Sequence, residues 1–386
     1  MPGLRSDIDP QGLLEYSVVF TDRSLNHMSV AFQTVMRDIH EVLCSTYGAE
    51  RAVVVPGGGT YAMEAVARQF AQDQKVLVIR NGFFSYRWSQ IFAAGRIPAE
   101  EIVMMARRQG NGPQSPFAPA PIEEVTARIR TERPALVFAL HVETASGMIL
   151  PDAYVRAVAD ATHDVGGLFV LDGVASGCLW VDMPALGVDV LISAPQKGWS
   201  APPCAGLVML NAAAVARCRE TASTSFAADL GKWLTIMEAY LNGGHAYHAT
   251  MPTDALRTLR NAMFVARAFG MDRLQAAQWE QGQGVRRMLA ERGVRSVAAD
   301  GFGAPGVVVS FTDDPEIQAG RRFAAQGLQI AAGVPLMVDE GPDYRSFRIG
   351  LFGLDKLTNV PASLARLERA STRCSRKPDA EDPGAP

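Results

Sequence analysis

Lys197 follows the apolar run Val188–Ile192 in GVDVLISAPQKGWSAPP. Asp172 closes another apolar run in GGLFVLDGVASG. A lysine amine adds to carbonyl carbons and, once freed, takes protons. A carboxylate at the carboxyl end of a buried strand sits where ligands of open α/β sheets bind. Upstream, AVVVPGGGTYAMEAVARQF reads as strand, glycine-rich turn and helix. Gly58 and Gly59 let the backbone approach an anion closely. The helix start adds free N–H groups and a positive dipole end. Thr60 adds a hydroxyl donor, so this segment has the makings of a phosphate site.

Taken alone, the turn has other readings. Gly57-x-Gly59-x-x-Ala62 satisfies the loose dinucleotide fingerprint. That reading wants an acidic residue closing the next strand, to hold the ribose. KVLVIRNG ends instead in Arg80 and Asn81, which leaves an NADP-type oxidoreductase open. A tight turn without a ligand is the third reading. Joined to Lys197 and Asp172, the turn meets the needs of pyridoxal 5′-phosphate (PLP). A lysine forms the Schiff base, a carboxylate keeps the pyridine nitrogen protonated, and a helix start holds the phosphate.

These residues need a sheet to carry them. Strand-like runs are Ala52–Val55, Val76–Ile79, Ile102–Met105, Ala135–Leu140, Leu168–Leu171, Val188–Ile192 and Gly206–Leu210. They are rich in Val, Ile and Leu and lack alternation, as strands buried on both faces do. Helical segments such as Tyr61–Gln72, Ile122–Thr131 and Pro151–Val165 lie between them. The expected fold is therefore α/β, a mostly parallel sheet covered by helices on both faces. From about Asp254 the texture changes. One long helix over Asp254–Gly293 is expected, then strands near Val294–Ala298, Gly306–Phe311 and Ser346–Leu351. The predicted division is a large domain over 1–253, a smaller α+β domain over 254–372 and a disordered tail over 373–386.

With 386 residues, 48% hydrophobic and 20% charged, the chain is not disordered over most of its length. Lys and Arg number 37 against 40 Asp and Glu, so no global basic field points to nucleic acid. The start has no long apolar region after a basic one, and no run approaches about 18 apolar residues. A cytoplasmic protein with no membrane partner is expected. The cysteines Cys44, Cys178, Cys204, Cys218 and Cys374 are scattered, which argues against a zinc knuckle or a disulfide framework. His245 and His248 lack a carboxylate-rich partner motif, so no metal is expected.

The segments GGTYAMEA, RNGFFSYRW, HVETASGMILP, LFVLDGVASG, LISAPQKGWSAPP, YHATMP and FRIGLFG stand in order from about residue 50 to residue 354. With them the chain resembles the class V, fold type I PLP-dependent aminotransferases, above all the alanine/serine–glyoxylate group. The resemblance implies a seven-stranded sheet and a homodimer with shared active sites. It implies that Lys197 bonds the cofactor and Asp172 pairs with its ring nitrogen. Val174 and Phe84 would flank the ring, and Thr144 would hydrogen-bond it. Gly58, Gly59, Thr60 and Gln196 would hold the phosphate, and Tyr247 and Thr250 would reach the phosphate of the neighbouring subunit. Arg348 would take the substrate carboxylate, a bidentate contact that a planar guanidinium suits. The implied reaction moves an amino group from a small, alanine- or serine-like amino acid to glyoxylate or pyruvate, in ping-pong order.

The chain also departs from that family. Its N-terminal Pro-Gly-Pro loop is replaced by VVFTDRSLNHMSVAF, where Arg23, Asn26 or His27 could line the substrate pocket. Ala194-Pro195 stands where a Gly-Ser type pair is usual. Rival readings are a PLP-dependent lyase or desulfurase, the NADP oxidoreductase, and a silent scaffold on the same fold. Desulfurases of this class place a His before the lysine, where this chain has Gln196, and need a mobile Cys.

Overall fold

The structure, a computed structural model, describes residues 8–374. Residues 375–386 of the expected tail lie outside the described residues. Seven strands form the main sheet: β1 Arg51–Pro56, β2 Lys75–Arg80, β3 Glu100–Met105, β4 Leu136–Leu140, β5 Leu168–Asp172, β6 Val190–Ser193 and β7 Ala205–Leu210. Their order is β1-β7-β6-β5-β4-β2-β3. Pairs β6/β5, β5/β4, β4/β2 and β2/β3 are parallel. Only β7 runs the other way, antiparallel to both β1 and β6. Every residue of β4, β5, β6 and β7 is buried, which is why these segments read as unbroken apolar runs.

The longer helices are α1 Val30–Tyr47, α2 Gly59–Phe70, α3 Phe83–Gly95, α4 Ile122–Glu132, α5 Asp152–Asp164, α6 Leu230–Leu241, α7 Thr253–Phe269, α8 Met271–Ala290 and α9 Val360–Cys374, the last packed beside the small sheet that follows. Ser29 caps α1 by accepting from the Phe32 N–H at 3.1 Å. This helix buries Phe32, Val35, Met36, Ile39, Val42 and Leu43, one face at helical spacing. The expected single helix over Asp254–Gly293 is two, α7 and α8, because Gly270 at φ +108° turns the chain between them.

A second sheet follows, β8 Val307–Phe311, β9 Ala331–Ala332 and β10 Ser346–Gly350, antiparallel in the order β8-β10-β9. Val294–Ala298 forms no strand and makes only isolated bridges, Ser296 to Ser310 and Ala298 to Phe117. It is divided between two neighbours and completes a ladder with neither. Leu256, Leu259, Met263 and Leu274 join the core of the main sheet. Val285 and Leu289, further along α8, pack with Val308, Phe347 and Ile349 of the small sheet. No helix of the described residues is long and apolar enough to cross a membrane.

The start of α2 rests directly on β7. A Cβ on Gly206 would lie 2.3 Å from the Ala62 Cβ and 2.8 Å from the Gly58 carbonyl. Gly206→Ala should therefore push the first turn of α2 off the sheet and cost about 1–3 kcal/mol, read by denaturant unfolding. A wild-type midpoint would contradict that contact.

Candidate active site

Because β1, β5 and β6 run the same way, their carboxyl ends open on one edge. Gly57 turns the chain there at φ +122°, where a Cβ would strike the Tyr61 ring. Its N–H donates to the Cys204 carbonyl at 3.0 Å. Gly58 then caps α2 with no side chain. A Cβ on Gly58 would have nothing within 4 Å, so the turn faces open space. On the other side, a Cβ on Gly59 would lie 2.8 Å from Val174 Cγ2. The missing side chain lets α2 close onto the loop that follows β5. Thr60 is exposed, and its Oγ1 accepts from Arg87 Nη1 at 3.2 Å.

Asp172 ends β5 and is 4% exposed. Its Oδ1 accepts from the Val174 N–H at 2.9 Å. Burial pushes its carboxyl up to about 7. The Val174 hydrogen bond opposes this, the Glu143 charge adds to it and the Arg87 charge opposes it. Ile192 of the neighbouring strand pairs with Asp172, and Lys197 comes five residues later. The intervening loop is tightly held. Ser200 N–H donates to the Lys197 carbonyl at 3.1 Å and Ala201 N–H to the Pro195 carbonyl at 3.0 Å. A Cβ on Gly198 would lie only 1.9 Å from the Gly177 carbonyl oxygen. Burial, and then the Arg348 charge, hold the half-buried Lys197 ammonium below the ordinary lysine range. Its Nζ is 5.0 Å from the centroid of the Phe352 ring.

Arg348 reaches the site from β10. Its Nε donates to the Ala332 carbonyl at 2.8 Å. Its Cζ is 5.6 Å from the Phe84 ring centroid, and the Cζ of Arg87 is 5.3 Å from the same centroid. Phe84 stands at the start of α3. Thr144, half-buried, is in the turn after β4, beside the buried Glu143. The structure thus gathers Asp172, Lys197, Val174, Gly59, Thr60, Phe84 and Arg348 from distant stretches, while Thr144 follows Glu143 and the exposed Gln196 precedes Lys197 in the chain.

Tyr247 and Thr250 occupy the loop between α6 and α7, their hydroxyls 3.1 Å apart. Tyr247 is 55% exposed, and its ring lies 5.5 Å from that of His27. His27 also stacks near Phe20 and His245. Asn26 is tied to Glu15 Oε2 at 2.7 Å, and Arg23 is exposed. Three site residues went unread in the sequence: Glu143, Arg87 and Phe352. Each lies inside a quoted segment: an acid in an apolar run, an arginine one turn after Phe84, and an aromatic four residues after Arg348. Among the described residues, no group of three or more His, Cys, Asp or Glu could hold a metal.

The family model described as aminotransferase class-V matches residues 12–311. The chain belongs to the class-V aminotransferases. This aminotransferase is 27% identical over 363 residues to a 2-aminoethylphosphonate–pyruvate transaminase of Paraburkholderia phymatum, covering 91% of this chain and 90% of that one. It is 24% identical to an alanine–glyoxylate aminotransferase of Mus musculus, covering 91% and 83%. The solved alanine–glyoxylate aminotransferase of Nostoc sp. superimposes with a TM-score of 0.77 at 22% identity, over 91% and 89% of the two chains. The aminotransferase therefore has the fold type I architecture, and its reaction is amino-group transfer between an amino acid and a 2-oxo acid.

The class implies PLP, and the residues of this aminotransferase fit it. The glycine turn leaves open space at a helix start for a phosphate. The buried Asp172 carboxylate suits a protonated ring nitrogen, and the half-buried lysine amine is held toward its neutral, nucleophilic form.

In the cofactor-free aminotransferase the raised Asp172 carboxyl carries a sign. Its stabilising neutral form is fully present below the ordinary value of 3.8 and lost as pH rises through about 7. Asp172→Asn removes that loss. Its thermal stability relative to the wild type should therefore rise between about pH 4 and about pH 7 in cofactor-free melts. A difference that does not change with pH would contradict the burial.

Proposed function

We propose that this aminotransferase uses PLP to move an amino group from a small, alanine- or serine-like amino acid to glyoxylate or pyruvate in ping-pong order. The observation that carries the reading is the Lys197–Asp172 pair. One is a half-buried amine that makes no ion pair among the described residues, and the other is a buried carboxylate ending the adjacent parallel strand. Bound PLP would supply an aldehyde carbon for the amine and a ring that takes up the electron pair left on the substrate carbon.

The chain's residues do the rest. Lys197 Nζ would bond the cofactor at rest and be freed when a donor amine binds. The freed amine then takes the Cα proton and later returns it. Asp172 keeps the ring nitrogen protonated. Gly58, Gly59, Thr60 and Gln196 hold the phosphate, Phe84 and Val174 flank the ring, and Thr144 hydrogen-bonds it. Arg348 takes the substrate carboxylate. The 2-oxo acid formed from the donor would leave before the acceptor 2-oxo acid enters the same site, and that makes the order ping-pong.

Tyr247 and Thr250 complete the site of a second subunit in this reading, so the working unit is a homodimer. Their exposure supports it, as do exposed Leu13, Leu14, Tyr16, Val18, Tyr61 and Phe226. A large domain ending near residue 253 holds the cofactor, and the smaller one brings Arg348 to it. The free thiols of Cys44, Cys178, Cys204 and Cys218 support a cytoplasmic setting. Desulfuration is disfavoured. Cys204 is 6% exposed, and burial pushes its thiol up to about 11, the opposite of a mobile nucleophile.

The holoenzyme should show a visible cofactor band that borohydride abolishes. Alanine or serine should bleach it, and glyoxylate or pyruvate should restore it. Lys197→Ala should abolish turnover, and a near-normal rate in that variant would sink the assignment. Arg348→Ala should raise KM for the donor about tenfold or more, since it removes charge-assisted hydrogen bonds.

A further inference from the structure

Glu143 is the most enclosed carboxylate of the site, 1% exposed, and none of the roles above uses it. Its Oε1 accepts from the Phe84 N–H at 3.2 Å and the Ala145 N–H at 2.9 Å. Its Oε2 accepts from the Ser85 N–H and the Ser85 hydroxyl, both at 2.8 Å. These donors come from two segments only, the start of α3 and the turn after β4. One segment carries Phe84 and the other carries Thr144. The residue before α3 is Gly82, which offers no capping side chain, and a Cβ there would lie 2.6 Å from Glu143 Cγ. Glu143 therefore caps α3 from 59 residues away, at the end where an anion is favoured. Its own backbone is fixed as well, its carbonyl accepting from the Gly147 N–H at 2.8 Å.

We infer that Glu143 is a positioning residue. Its carboxylate clamps the start of α3 to the Thr144 turn and so sets the Phe84 ring and the Thr144 hydroxyl against the cofactor. The inference rests on the cofactor placement proposed above. Three backbone N–H groups and a hydroxyl that it shares with the Gly82 carbonyl favour the anion, against the burial that holds its carboxyl above the ordinary glutamate range. A carboxamide of the same shape turns its NH2 onto a donor. The clamp also has an electrostatic consequence. Its charge acts on Asp172, which it repels, and on Arg348, which it attracts. Loss of the charge reaches both ends of the cofactor site, which loss of a remote structural contact would not.

The test compares wild-type holoenzyme with Glu143→Gln and Glu143→Asp. The readouts are PLP affinity, the position and circular dichroism of the visible cofactor band, and kcat and KM for alanine with glyoxylate. Glu143→Gln should release PLP roughly tenfold more readily. Its cofactor dichroism should weaken. Its kcat should fall about 100-fold while KM moves by less than about threefold, the mark of a misplaced reacting centre. Glu143→Asp keeps the charge but retracts it by one carbon, and should show the same changes in smaller measure. The inference is overturned if both variants fold and keep the band, the affinity and kcat within about twofold of wild type. It is also overturned if they lose only thermal stability. Should Glu143→Gln not fold, the same readings on Glu143→Asp decide in the same way. A wild type without the visible band would overturn the cofactor reading instead.

Discussion

The site depends on one close approach, that of the start of α2 to the edge of the main sheet. No side chain lies between them, because Gly206 on β7 and Gly59 on α2 bring none. A methyl group at either position would meet atoms at 2.3 Å or 2.8 Å. That approach lets a helix start, with its free N–H groups and positive end, share an edge with Asp172 and Lys197. The parallel direction of β5 and β6 supplies the other half of the constraint. Residues ending parallel neighbours must emerge on the same side, so Asp172 and the Lys197 loop open onto one space.

That space holds more charge than its surroundings can easily solvate. Asp172 and Glu143 are buried, and Lys197 and Arg348 are half-buried. Arg87 and Arg348 lie against the same phenylalanine ring. Burial shifts Asp172 upward and Lys197 and Arg348 downward, each toward its neutral form. Such shifts cost stability in the free chain and favour ligands that bring the opposite charges. In the proposed reading a cationic ring nitrogen would answer Asp172, and a substrate carboxylate would answer Arg348. Burial raises the Glu143 carboxyl too, but there hydrogen bonds from the chain itself oppose the shift. Glu143 acts on the rest of the site through the backbone it holds.

Much of this was legible in the order of residues. The inner strands could be read because strands buried on both faces become unbroken apolar runs, and the half-exposed edge strand β3 by its Ile102–Met105 run alone. Lys197 and Asp172 could be read because a charged residue closing such a run is conspicuous. Helix α1 was not read, since its amphipathic face has no motif to mark it and finds its partners on distant α6 and α7. The break at Gly270 was missed because one glycine within helical periodicity does not announce a turn. The Glu143 clamp was hidden because its partners lie 58 and 59 residues away along the chain.

Local chemistry along the chain therefore settled the kinds of groups available: a glycine-rich turn at a helix start, an amine, a carboxylate and a guanidinium. Each follows from a residue type and its immediate neighbours, and short-range patterns carry that information. Only folding decided which of them meet. Arg348 comes to Phe84 across more than half the chain because a small sheet packs beside the large one. The raised carboxyl of Asp172 exists only because strands and helices exclude water around it. Contact and desolvation are properties of the packed chain, and no window of sequence contains them.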